Sequence, residues 1–334
     1  MSMKTGTQLG LMTGLTILIS LVIWQGIDEI ATALIAAGWG LLTVTAFHLI
    51  PMLSSSMCWH TLFPSGQRPR LLRLLQARWI GESVNSLLPV AQVGGELAKA
   101  RWMMHYNVQG STAGASVVVE LTITLMTQIL FTIIGLTLLL LQVEPNLNLI
   151  LAIISGMSAF GALLVIFYSA QRQQFFGKIA YQVERIAGGR EWMALSGGAD
   201  KLDQAIAHIY GNKQVLATAS VWRLISWLIG TGEVWLLMYF FGMPVSLLEA
   251  LLLESLGQAV RAAGFLIPAS LGIQEGGFLL LGAVLGIPPQ TALALSLGKR
   301  VRELILGLPG LITWQIGTGY RLWRRRQAEQ APET

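Results

Sequence analysis

The chain has few charged residues and almost no cysteine. Its 334 residues are 12% charged and 54% hydrophobic, whereas soluble domains carry about 25% charged residues. This balance excludes an ordinary soluble globular protein and indicates an integral membrane protein. Cys58 is the single cysteine, which excludes an internal disulfide. The four histidines lack the spacing of metal ligands, and we interpret them as interfacial or core residues: His48, His60, His105 and His208.

The sequence also lacks the motifs of familiar enzyme classes. It contains no Gly-x-Ser-x-Gly, no His-Glu-x-x-His, no Asp-rich prenyl-diphosphate motif and no phosphate-cradling glycine loop. We therefore expect a protein that is not an enzyme, with no cofactor, no metal and no nucleic-acid partner.

Apolar stretches long enough to cross the membrane are abundant. A helix of about 20 residues crosses a hydrocarbon core of ~30 Å. Such stretches lie near 9–25, 36–60, 113–141, 149–170, 215–241 and 291–317. The first has no small-x-small cleavage site, so we interpret it as an uncleaved span rather than a signal peptide.

The distribution of positive charge predicts the topology, because Lys and Arg concentrate in cytoplasmic loops. They cluster at Lys4, Arg68 to Arg78, Lys99 to Arg101, Arg172 to Lys213, and Arg321 to Arg326. The segments 28–29, 144–146, 242–244 and 286–289 carry no Lys or Arg and are predicted to be outside. Both termini of this multi-pass protein are then predicted to be cytoplasmic.

Two segments of the chain repeat one another. LLPVAQVGGE contains Pro89 and Glu96, and LIPASLGIQE contains Pro268 and Glu275, so that the two prolines and the two glutamates are separated by the same offset. Repeated halves that meet at a midplane site are typical of secondary transporters. We predict an all-α integral membrane protein of two inverted-topology repeats, 1–145 and 146–320, with a basic cytoplasmic tail at 321–334.

Each proline motif is predicted to break a re-entrant helical hairpin, at about 79–104 and about 248–286. The ten residues between Arg78 and Pro89 provide about 15 Å of helix, too little to cross. The first arm of the second hairpin, 248–267, is long enough to span, so its re-entrant character rests on the repeat. The second repeat also carries a polar cytoplasmic insert at 171–213. It suits either a helix on the inner leaflet or a solvated connector, followed by a short helix near 199–210.

Ionisable residues at membrane depth are costly and mark either pathways or paired structural sites. Glu96 and Glu275 each follow a hairpin break and have glycine neighbours. They either stabilise helix starts, by roughly 0.3–1 kcal/mol at exposed sites, or face one cavity and bind a headgroup or a proton. Arg300 and Arg302 suit phosphate contact or pairing with glutamate. The predicted substrate-binding set is Asn85, Gly95, Glu96, Arg101, Arg261, Gly272, Glu275, Arg300 and Arg302.

The repeat also places opposite charges at equivalent positions. Applying the offset between Pro89 and Pro268 puts Glu82 opposite Arg261, and Glu120 opposite Lys299. Because residues near a pseudo-two-fold axis approach their own equivalents, we predict that these are two ion pairs joining the halves.

Three segments carry a family resemblance: ESVNSLLPVAQVGGELAKARW, IPASLGIQEGG and GIPPQTALALSLGKRVRE. They resemble the flippase-like membrane domain of the lysylphosphatidylglycerol synthase superfamily over nearly the whole chain, and NSLLPVAQVGGE looks like its hopanoid-associated HpnL subgroup. The family's motif positions fall on Pro89, Gly95, Glu96, Arg101, Pro268, Gly272, Glu275 and Arg300. The soluble aminoacyl-transferase domain of the multidomain synthases has no room at 321–334, so its chemistry is not expected.

The resemblance implies movement of hopanoid or a similar amphipathic lipid between leaflets or towards the outer envelope. Membrane lipids are then the expected partners, together with proteins of lipid export or synthesis. The alternatives are an ion-coupled carrier of a small polar solute, a scaffold that docks through 171–213, and a membrane enzyme with Glu96 and Glu275 as an acid/base pair. Transport of a soluble substrate without lipid dependence would select the carrier.

The predicted topology is testable by cysteine labelling in a protein in which Cys58 is replaced by Ser. Single cysteines at Ser65 and Asn107 are expected to react only from the cytoplasm, and those at Ser246 and Gln290 only from outside. Reaction of both sets from one side would contradict the inverted arrangement.

Overall fold

The structure is a computed structural model that describes residues 20, 23, 27–88, 94–142, 158, 199–264 and 267–330. The predicted spans 9–25 and 149–170 lie almost wholly outside these residues. Pro89, the boundary at 145–146 and most of the insert 171–213 lie outside them as well.

The described part of the chain is built from α-helices. They are α1 (Ile27–Ala37), α2 (Gly40–Phe47), α3 (Leu49–Thr61), α4 (Leu71–Leu87), α5 (Gly94–Met104), α6 (Gly110–Gln142), α7 (Ala199–Tyr210), α8 (Lys213–Phe240), α9 (Leu247–Ala263), α10 (Ile273–Val284) and α11 (Pro289–Gln330). A short 3-10 turn, Pro268–Ser270, lies between α9 and α10.

Three helical stretches of the described residues are long and apolar enough to cross a membrane: Gly40–Thr61, Gly110–Gln142 and Lys213–Phe240. They correspond to the predicted spans 36–60, 113–141 and 215–241. The first consists of α2 and α3, which are separated by His48 alone. The predicted span 291–317 lies within α11, which also carries a run of charged residues from Lys299 to Glu303. An all-helical membrane protein is thereby confirmed, whereas the full number of spans stays a prediction.

The offset between the two proline motifs recurs in the helix bounds. It separates the start of α5 from that of α10, at Gly94 and Ile273, and the start of α6 from that of α11, at Gly110 and Pro289. The ends of α3 and α8, at Thr61 and Phe240, are separated by the same offset. Each half thus has a long helical segment, a helical hairpin and a second long helix in the same order. The opposite orientation of the halves in the membrane stays a prediction.

The first hairpin starts earlier than predicted. Its first arm, α4, begins at Leu71 rather than near residue 79, and Arg78 lies inside it. The charge pattern predicts that Arg78 and Lys99 lie in cytoplasmic loops, but both side chains are buried in the protein, 4% and 3% exposed. They pair with a glutamate of α6. Because the rule concerns Lys and Arg in loops, these two buried residues do not indicate which side of the membrane is cytoplasmic.

Close backbone contact holds the two arms of the first hairpin together. The N–H of Gly95 donates to the Asn85 side-chain oxygen at 2.8 Å. A Cβ atom added at Gly95 would overlap the carbonyl oxygen of Gly81, and one added at Gly81 would meet the Lys99 side chain. α4 ends in an extended residue, Leu88, as expected before proline. Asn85 and Gly95 therefore have a structural role in joining the arms.

The predicted second hairpin, 248–286, contains two helices, α9 and α10, and its re-entrant character stays a prediction. α9 starts with a reciprocal cap, in which Ser246 accepts from the Glu249 N–H and the Glu249 carboxylate accepts from the Ser246 N–H. The break after α9 includes left-handed backbone at Ala269, Ser270 and Gly272. The buried Ser270 hydroxyl donates to the Arg261 carbonyl at 2.9 Å and fastens this break to the end of α9.

A polar seam joins the two halves along α3 and α8. The Ser54 hydroxyl donates to the Trp222 carbonyl at 2.9 Å, and the Ser226 hydroxyl donates to the Pro51 carbonyl at 2.8 Å. Ser55 and Ser226 share a further hydrogen bond of 2.7 Å. Small hydroxyl residues allow two membrane helices to approach closely while satisfying their own polar groups.

The short helix predicted near 199–210 is confirmed as α7. Its buried face consists of Leu202, Ile206 and Ile209, which belong to the apolar core formed mainly by the first half. The Tyr210 hydroxyl donates to Thr122 of α6 at 3.0 Å. This end of the insert is therefore packed against the helices and is not a free connector.

The close approach at Gly95 is testable by substitution with alanine. Gly95→Ala forces α4 and α5 apart, and overpacking of this kind costs about 1–3 kcal/mol. Gly276→Ala is the matched control, because nothing lies within 4 Å of its added Cβ atom. Alanine there gains helix propensity of up to about 1 kcal/mol. Thermal unfolding in detergent is expected to show a lower Tm for Gly95→Ala and an equal or higher Tm for Gly276→Ala; the reverse order would contradict the packing.

Candidate functional site

A buried glutamate organises the ionised groups of the first half. Glu120 of α6 pairs with Arg78 of α4 and, at 2.9 Å, with Lys99 of α5. Lys99 also lies 2.6 Å from Glu96 within α5. These four residues, here called the first-half cluster, tie both arms of the first hairpin to α6.

Ser55 links the first-half cluster to the second half of the chain. Its carbonyl accepts from Arg78 at 3.0 Å, and its hydroxyl accepts from Arg223 of α8 at 2.6 Å. The Arg223 guanidinium also stacks over the ring of Trp227, 4.6 Å from its centroid. This cation is thus held by a hydroxyl and an aromatic face.

The second half contains the counterpart with reversed signs. Lys299 of α11 pairs with Glu254 of α9, and α9 and α11 occupy the places of α4 and α6. Gln258 donates to the same glutamate at 2.8 Å. Glu120 and Lys299 thus occupy equivalent positions with opposite charges, and each pairs with residues of its own half.

The two ion pairs predicted between the halves are wrong. Glu82 contacts His48, and Arg261 pairs with Glu303, so neither reaches the other. Glu120 and Lys299 are likewise occupied by partners on neighbouring helices of their own half. Partners one helix away satisfy these charges, whereas a contact between equivalent positions would require both to lie at the pseudo-two-fold axis.

A second group of ionised residues, here called the central network, lies where the halves meet. Its core is His48, between α2 and α3, with Glu82 of α4, Glu233 of α8 and Arg302 of α11. The His48 Nε2 atom lies 3.3 Å from Glu82, and Nδ1 lies 2.6 Å from Glu233. Arg302 pairs with Glu233 at 2.6 Å. The histidine therefore connects a carboxylate of the first half with one of the second.

The Nδ1 atom of His48 has two neighbours, one of which binds it when it is protonated and the other when it is not. It lies 2.6 Å from the Glu233 carboxylate and 2.6 Å from the Nη1 donor of Arg302. A protonated Nδ1 donates to Glu233, and an unprotonated Nδ1 accepts from Arg302. The two bonds exclude each other, so the proton on this ring selects between two arrangements.

The central network continues through α11 to the break of the second hairpin. Glu303 pairs with Arg261 of α9 and lies 3.4 Å from Arg300. Arg300 pairs with Glu275 of α10 at 3.1 Å and donates to the Ala269 carbonyl at 2.7 Å. Arg300 therefore fixes both the first turn of α10 and the left-handed turn before it.

Glu275 has a larger structural role than a helix-dipole contact. Its side chain is fully buried and accepts from the Gly272 N–H at 2.7 Å, from Ser296 at 3.1 Å and from Arg300 at 3.1 Å. Removal of one member of a buried ion pair costs about 3–5 kcal/mol. The sequence-based value of roughly 0.3–1 kcal/mol, for a carboxylate at the start of a helix, applies to exposed sites and is too small for this buried side chain.

A polar cavity of about 30 Å³ lies beside His48, and a volume of ~10–15 Å³ or more holds a water molecule. Its polar lining consists of His48, Glu82, Ser83, Ser86, Arg302 and Glu303. The Glu82 side chain is 40% exposed, and the chain neighbours of the lining residues, Leu49, Leu304 and Leu308, are exposed apolar residues. The central network is thus exposed at Glu82.

The structure brings together part of the predicted substrate-binding set. Arg261, Gly272, Glu275, Arg300 and Arg302 all belong to the central network or contact it directly.

The first-hairpin members of the set lie elsewhere. Glu96 belongs to the first-half cluster, Asn85 and Gly95 join the arms, and the Arg101 side chain is exposed. Neither Glu96 nor Glu275 lines the cavity beside His48. A direct role of either glutamate in binding stays a prediction.

Sequence reasoning missed His48, Glu233, Arg78 and Lys99 as site residues. The sequence predicts that His48 is an interfacial or core histidine, yet this residue lies in the middle of the apolar stretch 36–60. An ionisable residue inside a span was the available signal.

The comparison with known proteins identifies a family. The family model for the lysylphosphatidylglycerol synthase TM region matches residues 11–310. The chain matches no curated protein and no solved structure at a significant level.

The Glu254–Lys299 pair is testable by a double-mutant cycle. Glu254→Leu alone leaves Lys299 buried without its carboxylate, and the expected cost is about 3–5 kcal/mol. Adding Lys299→Met removes the stranded charge and is expected to recover most of the lost stability. Unfolding in detergent measures both, and a double variant less stable than Glu254→Leu would contradict a direct ion pair.

Proposed function

Because the chain belongs to the family of the lysylphosphatidylglycerol synthase TM region, we propose that it translocates an amphipathic lipid between membrane leaflets. By the resemblance of its first hairpin motif, the lipid is a hopanoid or a similar polycyclic lipid. The membrane is the bacterial inner membrane, both termini are cytoplasmic, and the protein acts as a carrier of lipid rather than as an enzyme.

The observation that carries this proposal is the exposure of Glu82 within the central network. Glu82 lies about 16 Å along α4 from Leu71, at about 1.5 Å per residue. If α4 begins at the membrane boundary, Glu82 lies near the middle of a ~30 Å core. Its side chain is 40% exposed, although a charge at this depth is costly unless it serves a pathway or a partner. His48 lies 3.3 Å from it, and Glu82 also lines the cavity.

The barrier to moving a lipid between leaflets arises from its polar head. The polar head must pass through hydrocarbon, whereas the apolar body remains in contact with lipid. We propose that the exposed Glu82 side chain contacts the head, while exposed leucines next to the lining residues in the chain, Leu49, Leu304 and Leu308, contact the body. This arrangement supports movement of lipid along the protein surface.

The distribution of ion pairs supports movement of the two halves as separate units. The first-half cluster holds α4, α5 and α6 together, and the Glu254–Lys299 pair holds α9 and α11 together. Contacts between the halves consist of helix packing, of hydrogen bonds such as the one of 2.8 Å from Trp79 Nε1 to the Leu306 carbonyl, and of the His48–Glu233 pair. We propose that the inverted halves rock about the α3–α8 seam, so that access to the central network alternates between the leaflets.

A vesicle assay tests translocation and its dependence on Glu82. Purified protein is expected to exchange a fluorescent amphipathic lipid between leaflets faster than protein-free vesicles do. Glu82→Gln is expected to slow this by tenfold or more, corresponding to about 1.4 kcal/mol or more, because the amide keeps the shape of the side chain and removes its charge. Asp28→Asn is the matched control, since Asp28 is exposed and outside both networks.

Lipid distribution in the native cell provides the complementary measurement. Deletion is expected to deplete the lipid from the outer envelope without reducing its total amount. A lower total with an unchanged distribution would instead assign the protein to lipid synthesis, and rates equal to those of protein-free vesicles would contradict translocation.

A further inference from the structure

We propose that His48 is a proton-binding site that receives its proton through Glu82, and that occupancy of this site couples a proton gradient to lipid translocation. The coupling rests on the proposed function, whereas proton binding at His48 does not. The proposal concerns the energy source of the protein.

The geometry places one carboxylate on each nitrogen of the imidazole. Nε2 faces Glu82 at 3.3 Å, and Nδ1 faces Glu233 at 2.6 Å. The doubly protonated ring donates to both carboxylates, which neither neutral tautomer does. Histidine is also the side chain whose ordinary titration range lies closest to neutral pH.

Access to the site is open on the side of Glu82. The Glu82 side chain is 40% exposed, that of His48 is 17% exposed and that of Glu233 is 4% exposed. Glu82 and His48 both line the water-sized cavity. In the proposed route a proton passes from water in this cavity to the Glu82 carboxylate and then to Nε2, and it returns by the same route with no other reactant.

The charges around His48 are mixed. The carboxylates of the central network are Glu82, Glu233, Glu275 and Glu303, and its guanidinium groups are Arg261, Arg300 and Arg302. Two further cations, Arg78 of α4 and Arg223 of α8, also act on Glu82. The ring of His48 itself lies between the Glu82 and Glu233 carboxylates, with Arg302 as the one cation at hydrogen-bond distance from it. A proton on the ring therefore has a carboxylate partner at each nitrogen, as a charge buried at membrane depth requires.

Protonation also changes the contacts between the halves. His48 and Glu82 belong to the first half, and Glu233 and Arg302 belong to the second. The protonated ring bonds Glu233, whereas the neutral ring with a bare Nδ1 accepts from Arg302. The proton thus decides whether His48 is bonded to Glu233 or to Arg302 of the second half. Coupling requires such a difference in contacts between the protonated and the unprotonated protein.

Proton binding is tested directly in a protein with His60, His105 and His208 replaced by Gln, so that His48 is the one imidazole. Its ¹⁵N resonances in lipid nanodiscs are expected to report conversion to imidazolium between about pH 5 and pH 8. Glu82→Gln and Glu233→Gln are each expected to weaken proton affinity by tenfold or more, the usual effect of removing a close opposite charge. A ring that keeps one charge state from about pH 5 to pH 8 in the background protein would overturn the proposal.

Coupling is tested with a gradient of about one pH unit across vesicles that contain the protein and a fluorescent lipid. If one proton moves per lipid, the steady-state ratio between leaflets is expected to shift by up to about tenfold. His48→Gln and, as a second variant that keeps the ring, Glu233→Gln are expected to abolish or reduce this shift. His105→Gln and His208→Gln are the matched controls, since both side chains are exposed.

The outcomes separate this inference from the proposed function. Lipid exchange that ignores the gradient in the native protein would overturn the coupling and leave translocation standing. Titration of His48 without any lipid exchange would overturn translocation and support His48 as a proton site. A gradient-driven shift that persists in His48→Gln would overturn the assignment of the coupling proton to this residue.

Discussion

The fold depends on the cost of placing ionised side chains at membrane depth. Each such group needs a partner or a wet surface, because hydrocarbon cannot solvate it. Glu120 meets this requirement with two cations from the two arms of the first hairpin, and Lys299 meets it with Glu254. These ion pairs hold neighbouring helices in one relative position, because a shift of either helix would leave a buried charge without its partner.

These ion pairs connect helices within each half of the molecule. Within each half, ion pairs join the hairpin to the long helix that follows it. Between the halves lie hydroxyl bonds along α3 and α8, the Ser55–Arg223 contact and the histidine at the centre of the central network. In the proposed mechanism the contact that depends on one proton lies at this junction, whereas the first-half cluster and the Glu254–Lys299 pair each lie within one half. The halves also pack on one another, α3 against α8, α4 against α11 and α6 against α9, so a change in their relative position requires these helices to repack.

Much of the fold was predictable from local signals. The apolar stretches of membrane-spanning length predict an all-helical membrane protein, which is confirmed, whereas the inverted repeat and the re-entrant hairpins predicted from the proline motifs stay predictions. The short helix α7 was also predictable from its pattern. Prediction failed where charge had to be assigned a location: Arg78 and Lys99 resemble loop residues in the sequence, and Glu82 and Arg261 look like a pair because their positions are equivalent.

The sequence by itself determined that the chain is an all-helical membrane protein, because hydrophobic length and repeated breaks are local properties. It also identified Arg261, Glu275, Arg300 and Arg302 as unusual, because charge inside apolar sequence is visible without a structure. Tertiary structure alone decided the partners of these charges. His48, Glu82, Glu233 and Arg302 come from four separate parts of the chain, and a contact among them depends on how helices pack rather than on their spacing. Pairing is a short-range interaction, so a difference of one helix in the packing decides which carboxylate meets which cation.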